Sequence, residues 1–322
     1  MKAFLLKTLL YFFLLICIVL FILQFSSYEV NKNASFKLNS NPRFLIVGSS
    51  QSECAYNDSL IPDFKNMSQS GESFFYTYFK TSLLLKHNKS VETVFIDFSN
   101  IQIHPEMNDW TWDDKHISYR YPIYSSFMNF DDQLLLFKNN PFGFLSTLSF
   151  TFKYRFNKIV SNNYNFVNEV GGYLFLDRDK TDSLLNKIDS SQVEQNIVDK
   201  KKYSEINLIY LKKIIDLCKA NDKKVYLLRS PQHIKSLNLK NDSLYFEILN
   251  TRFKNNEFLD FSKVPFTSNE FGDFDHLNYK GAKIYSLWFS QILKDGLLLK
   301  NNKQKFINQK INDRDMMILR EL

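Results

Sequence analysis

The sequence predicts an α/β fold, a three-layer sandwich in which helices cover both faces of a parallel sheet, set behind a single membrane-spanning segment. Three observations carry that expectation. Short apolar runs bounded by polar turns recur along the chain, and the stretches between them repeat apolar residues at helical spacing. Strands that alternate with helices pair in parallel and are buried on both faces, so they read as continuous apolar runs. Thr8 to Phe25 is apolar almost throughout, and long enough to cross a bilayer as a helix.

In order, Lys2 and Lys7 precede the apolar run, which places the N-terminus in the cytoplasm and the rest of the chain on the extracytoplasmic side, the periplasm if the source is bacterial. A cleaved signal peptide is the rival reading. Ser26-Ser27-Tyr28-Glu29 offers no small-x-small site, and Cys17 follows Ile16 rather than a small residue, which speaks against a lipoprotein box. A retained anchor over residues 1–30 is favoured, followed by a polar stalk over 31–42. The α/β domain spans 43–298. Its strands are expected at Phe44–Val47, Val94–Phe98, Val225–Leu228 and Phe258–Phe261. Leu208, Leu211, Ile215 and Cys218 mark a helix capped by Ser204, and Tyr285, Phe289 and Ile292 mark the last one. Residues from about 104 to 200 are crowded with aromatics and exceed an ordinary loop, so they are read as a helical insertion over the site. Residues 299–322 form a basic tail.

Composition excludes several classes. The chain has 322 residues, 44% of them hydrophobic, enough for a sizeable core. Its 41 basic and 34 acidic residues leave a net charge of +7, spread out rather than gathered in a nucleic-acid motif, so no nucleic-acid partner is expected. Cys17, Cys54 and Cys218 make no disulfide framework; two separate buried thiols are favoured over a Cys54–Cys218 pair.

Two short words carry the chemistry. Gly48-Ser49-Ser50 ends the first apolar run, exposing a serine hydroxyl where a strand meets a helix. Asp273-Phe274-Asp275-His276 places a carboxylate three residues ahead of a histidine, just before the last helix. One loop then delivers a base and the acid that orients it, the partners a serine nucleophile needs. Asp275 competes with Asp273, but as the adjacent residue it is expected to point elsewhere. Both words follow predicted strands, and in parallel sheets sites form at the carboxyl ends of strands. The elbow Gly-x-Ser-x-Gly is absent, because Ser52 stands where its second glycine would be, which argues against the α/β-hydrolase fold. His233 follows a strand and is read as a loop residue, Trp110 and Trp112 as packing residues of the insertion. Asp113, Asp114 and His116 match no strong metal motif, so no metal is expected.

These residues resemble the blocks of the SGNH/GDSL hydrolase superfamily. Gly48-Ser49-Ser50 is similar to the first block, with Ser49 in place of the usual aspartate, and Asn66-Met67-Ser68-Gln69-Ser70-Gly71 is similar to the second. Asn100 stands for the third block's asparagine without its Gly-x-Asn-Asp form, and Asp273-x-x-His276 matches the fifth. The resemblance implies a flavodoxin-like sheet, catalytic Ser50, Asp273 and His276, and an oxyanion hole from Ser50, Gly71 and Asn100, with no cofactor. It is closest to membrane-anchored members that add or remove acyl groups on envelope polymers. The expected function is therefore an esterase or O-acyltransferase working through an acyl-serine on a cell-envelope polysaccharide or glycoconjugate. Its partners would be that ester substrate, the membrane and a membrane-bound acyl-donor protein. A fold-conserving binding or accessory protein without activity is the alternative.

Overall fold

The structure, a computed structural model, describes residues 1–185 and 203–312. Along the chain the elements begin α1 (Lys2–Asn33), β1 (Phe44–Val47), α2 (Ser50–Ala55), β2 (Phe64–Asn66), α3 (Phe74–His87) and β3 (Thr93–Asp97). Helices α4 (Asp109–Trp112), α5 (Asp114–Tyr124), α6 (Phe130–Asn139), α7 (Pro141–Val160) and α8 (Thr181–Leu185) follow. The chain then runs through α9 (Glu205–Ala220), β4 (Lys224–Arg229), α10 (Asp242–Arg252), β5 (Glu257–Asp260), α11 (Tyr279–Lys294) and α12 (Lys303–Asn312). It divides into two compact units, Met1–Phe36 with Trp112–Glu169, and Lys37–Thr111 with Val170–Leu322.

The second unit is the α/β unit. Its five strands are all parallel, in the order β2-β1-β3-β4-β5. β1 and β3 are buried almost residue for residue, which is why their sequences are unbroken apolar runs. α2 packs on α11, and α3 on α9. With right-handed crossovers these pairs take opposite faces of the sheet. Ile46, Phe95, Leu228 and Leu259 meet Trp288 and Phe289 of α11 in one core, while Leu45, Val94 and Leu227 are buried on the other side. The connection from β1 steps to β2, and every later one moves away through β3, β4 and β5. The direction therefore reverses between β1 and β3, and in such sheets a crevice opens there beyond the carboxyl ends.

The first unit is helical. An 18-residue window of α1 has a mean hydropathy of 2.7 and none of it is buried, so this helix is long and apolar enough to cross a membrane. Its last turns are packed instead: Ser26 and Val30 are buried, and the Asn31 amide donates to the Ser126 carbonyl at 3.0 Å. α7 packs along α1, α5 and α6, and Phe36 stacks on Phe166 at 5.1 Å.

Several expected boundaries move. The polar stretch 31–42 is not a free stalk: α1 runs on to Asn33, Ser35 pairs with Asn165, and the Leu38 N–H donates to Asn88. The insertion expected at about 104–200 divides. Residues 112–169 join the N-terminal helix, 104–111 and 170–185 belong to the α/β unit, and 186–202, with the lysines at 200–202, lie outside the described residues. The expected basic tail holds α12, whose Ile307 enters the core and whose Gln304 side chain bonds the backbone of Asp260; residues 313–322 lie outside the described residues. β2 was not anticipated. All three cysteines are free.

Candidate active site

β1 ends at Gly48, and nothing larger fits there. A Cβ on Gly48 would stand 2.4 Å from Asp97 Cβ and 2.6 Å from Ser52 Oγ, so only glycine lets the end of β1 approach the end of β3. The chain turns through Ser49, buried and extended, and Ser50 opens α2. Ser50 thus sits at the carboxyl edge where the strand order reverses. Beneath this turn Asp97 is wholly buried and accepts from the Ser230 hydroxyl at 3.0 Å. Burial pushes its carboxyl up to about 6, although hydroxyl hydrogen bonds work in the other direction.

The second word folds into a tight loop between β5 and α11. Asp273 Oδ1 accepts from the backbone N–H groups of Asp275 and His276, at 2.9 and 3.0 Å. The Gly272 N–H donates to the His276 carbonyl at 2.8 Å, and Phe271 bridges Leu277. The same Oδ1 lies 2.7 Å from His276 Nδ1, and His276 Nε2 lies 2.7 Å from Ser50 Oγ. Burial by itself would raise the Asp273 carboxyl. The hydrogen bond and charge of His276, the Asp275 N–H and the charge of Arg178 outweigh it and hold the group down at about 2. Asp273 is therefore an ionised acceptor at any ordinary pH. Nδ1 must carry a proton to satisfy it, and the neutral ring then offers Nε2 as acceptor to the Ser50 hydroxyl. Asp275 faces away, onto the Ser236 hydroxyl at 2.5 Å and the Asn238 amide at 3.0 Å.

The loop after β2 is fastened to the same turn. The Gln69 N–H donates to the Gly48 carbonyl at 3.0 Å, and the N–H and hydroxyl of Ser70 both donate to the Glu53 carboxylate on α2. Asn66, fully buried, donates its amide to the carbonyls of Ser52 and Tyr56 and accepts from the Ser68 N–H. Gly71 follows with a left-handed φ of 63°, a conformation that favours glycine. Among the described residues no backbone carbonyl outside regular helix and strand bonding accepts a hydrogen bond from the N–H of Ser50 or of Gly71.

Asn100 requires a correction. Its amide nitrogen donates to Asn241 at 2.9 Å and Asp242 at 2.6 Å, and its oxygen accepts from Arg229 at 3.1 Å. Both of its donors are occupied by this part-buried network, so the side chain has none left for an oxyanion. Arg229, on the neighbouring β4, is held in turn by Asp260 at 2.6 Å. The resemblance to the third block drew the assignment, and a position just after β3 serves the Arg229 cluster equally well.

Arg178 was not anticipated. Residues 170–181 run along the site: the Gly172 N–H bonds to Ser68, Leu174 to Glu53, and Lys180 to Gly272. This strap brings the Arg178 guanidinium onto Oδ2 of Asp273, the oxygen that His276 does not use. No sequence signal marked it, because it lies inside the stretch read as insertion. His233 stacks on Phe274 of the same loop at 5.1 Å. Asp113 caps α5, accepting from both the backbone N–H and the ring Nδ1 of His116 at 2.7 Å.

Among models of protein families, one that carries no description matches residues 148–298, a stretch containing Arg178, Asp273 and His276 but not Ser50. No curated protein matches the chain.

Proposed function

We propose that the protein is a membrane-anchored serine esterase or O-acyltransferase of SGNH type, acting on an acylated polysaccharide or glycoconjugate of the cell envelope. The observation that carries this reading is the continuous relay Ser50–His276–Asp273, with both links at 2.7 Å. In the reaction His276 Nε2 takes the Ser50 proton as Oγ attacks the ester carbonyl. The C–O bond to the alcohol then breaks, and His276 returns the proton to that leaving oxygen. Water, or a sugar hydroxyl, attacks the resulting acyl-serine by the same steps in reverse; water gives hydrolysis, a hydroxyl gives transfer. The N–H groups of Ser50 and Gly71 would receive the oxyanion, and Asp273 would stabilise the imidazolium. Loss of one oxyanion donor typically costs a factor of about 100 to 1,000.

Lys2 and Lys7 ahead of the apolar run favour a domain on the outer side of the membrane, and a membrane-bound acyl-donor protein would supply acyl groups there if the reaction is transfer. The test is labelling of the full chain by a fluorophosphonate probe. Wild type should label at one site, while Ser50→Ala and His276→Ala should each abolish labelling, and the double variant should add little because the two act as a unit. Equal labelling of wild type and Ser50→Ala, or none in a folded wild type, would leave the tethered binding or accessory protein as the reading.

A further inference from the structure

The helical unit contains an open cavity of about 880 Å3 between the end of α1 and helices α5 to α7. Leu20, Leu23, Phe144 and Leu148 line it together with Arg155, Ser126 and Lys32. Arg155 is 6% exposed. Its Nη1 donates to the Leu23 carbonyl at 3.2 Å and its Nη2 to the Ser125 hydroxyl at 2.8 Å, while Nε has no partner. No carboxylate pairs with it among the described residues, and none lines the cavity. Ser126 is 7% exposed, and its buried hydroxyl is also without a partner. Burial of an unpaired guanidinium is costly unless an anion neutralises it.

The level of the cavity identifies the class of anion. Leu20 and Leu23 belong to the apolar run that ends at Phe25, whereas Asn31 and Lys32 lie beyond it. From Leu20 to Lys32 a helix rises roughly 18 Å, so the cavity crosses the boundary between hydrocarbon and headgroups. Phe130 and Phe142, 75% and 85% exposed on α6 and α7, add bare apolar surface to the same unit. A ligand that fits has an apolar chain at one end and a negative charge at the other.

We propose that this cavity holds one anionic membrane phospholipid, with an acyl chain along Leu20, Leu23, Phe144 and Leu148 and its phosphate on the Arg155 guanidinium. Arg suits phosphate through paired parallel N–H donors, and Lys32 on the cavity wall adds charge. The proposal rests on α1 crossing the membrane, and not on the chemistry of Ser50.

The full chain, assembled in nanodiscs of phosphatidylcholine with a minor share of phosphatidylglycerol, would be released and weighed by native mass spectrometry. One phosphatidylglycerol should remain bound in preference to phosphatidylcholine. Arg155→Gln should lower the retained fraction about tenfold, the scale of one charge-assisted contact. Leu148→Trp obstructs the acyl-chain path while keeping Arg155, and should also lower it; Lys32→Gln, an exposed change that leaves the fold alone, should lower it about two-fold. Unchanged retention in Leu148→Trp and Lys32→Gln would overturn the proposal. So would equal retention of the two lipids, or full displacement of the lipid by inorganic phosphate, which would make this a simple anion site.

Discussion

Arg178 and Asp273 form an ion pair on the outer oxygen of the carboxylate whose inner oxygen holds His276. The pair ties the strap of residues 170–181 to the loop that carries the proposed base. It fixes the direction of the carboxylate without touching the serine, so Arg178 is a positioning residue. Its side chain is 38% exposed, and removal should cost little stability. Arg178→Gln is expected to slow fluorophosphonate labelling of Ser50 by about three- to ten-fold, the scale of about 1 kcal/mol in a barrier, with the melting temperature nearly unchanged. Arg178→Lys should recover part of the rate. A fall in melting temperature with no change in rate would make the pair structural only.

Two carboxylates near the site respond to pH with opposite signs. Asp273 is held near 2, below its ordinary 3.8, so the stability it contributes is complete above about 4 and is lost as pH falls through 2. The shift corresponds to about 2 kcal/mol. Asp97 is raised to about 6, so the protein binds an extra proton when folded, and stability falls as pH rises from about 4 through 6. Asp273→Asn should flatten the acid limb of a plot of melting temperature against pH, and Asp97→Asn the limb between about 4 and 6. Asp273→Asn should also cut labelling by about 10,000-fold through the wrong imidazole tautomer. Identical pH profiles for Asp97→Asn and wild type would show that Asp97 is already neutral or reaches water.

Gly48 ties the fold to the site. An added methyl meets Asp97 Cβ and Ser52 Oγ well inside contact distance, and neither belongs to a flexible side-chain end. Gly48→Ala should lower stability by about 1–3 kcal/mol, the usual range for overpacking. Because the strain falls one turn from Ser50, labelling should drop further than the loss of folded protein accounts for. A variant that labels in proportion to its folded fraction would mean that the turn relaxes without moving the serine.

The parts of this architecture that were legible in the sequence are those encoded locally. β1, β3 and β4 announced themselves because strands buried on both faces leave largely unbroken apolar runs, β5 at the far sheet edge was legible from Phe258 and Leu259 alone, and Ser204 caps its helix with its own side chain. Asp273 and His276 were legible because three residues suffice to close their loop. β2 was missed because it has three residues, one of them Lys65, at the sheet edge. The helical unit was missed because it joins residues 1–36 to 112–169, a pairing no local pattern encodes. Asn100 shows the remaining difficulty: an asparagine after a strand offers the same donors to an oxyanion or to Asn241 and Asp242, and only the packing of β4 and α10 decides.

The last prediction concerns the anchor. A signal peptide is discarded, so cleavage near Ser26 would remove a segment on which nothing downstream depends. Here the turns just after that point are built into the helical unit: Ser26 and Val30 are buried, and Asn31 bonds the Ser126 carbonyl. Arg155 reaches back further, to the Leu23 carbonyl. Cleavage would cut the helix within the segment the unit packs on, so the mature protein should keep α1 and stay with the membrane fraction. On the orientation proposed from Lys2 and Lys7, a cysteine introduced at exposed Lys37 should react with an impermeant maleimide in spheroplasts before lysis. Labelling only after lysis would reverse the orientation. A soluble product beginning near Ser26 would show that the unit folds without the helix, and would remove the lipid cavity along with the anchor.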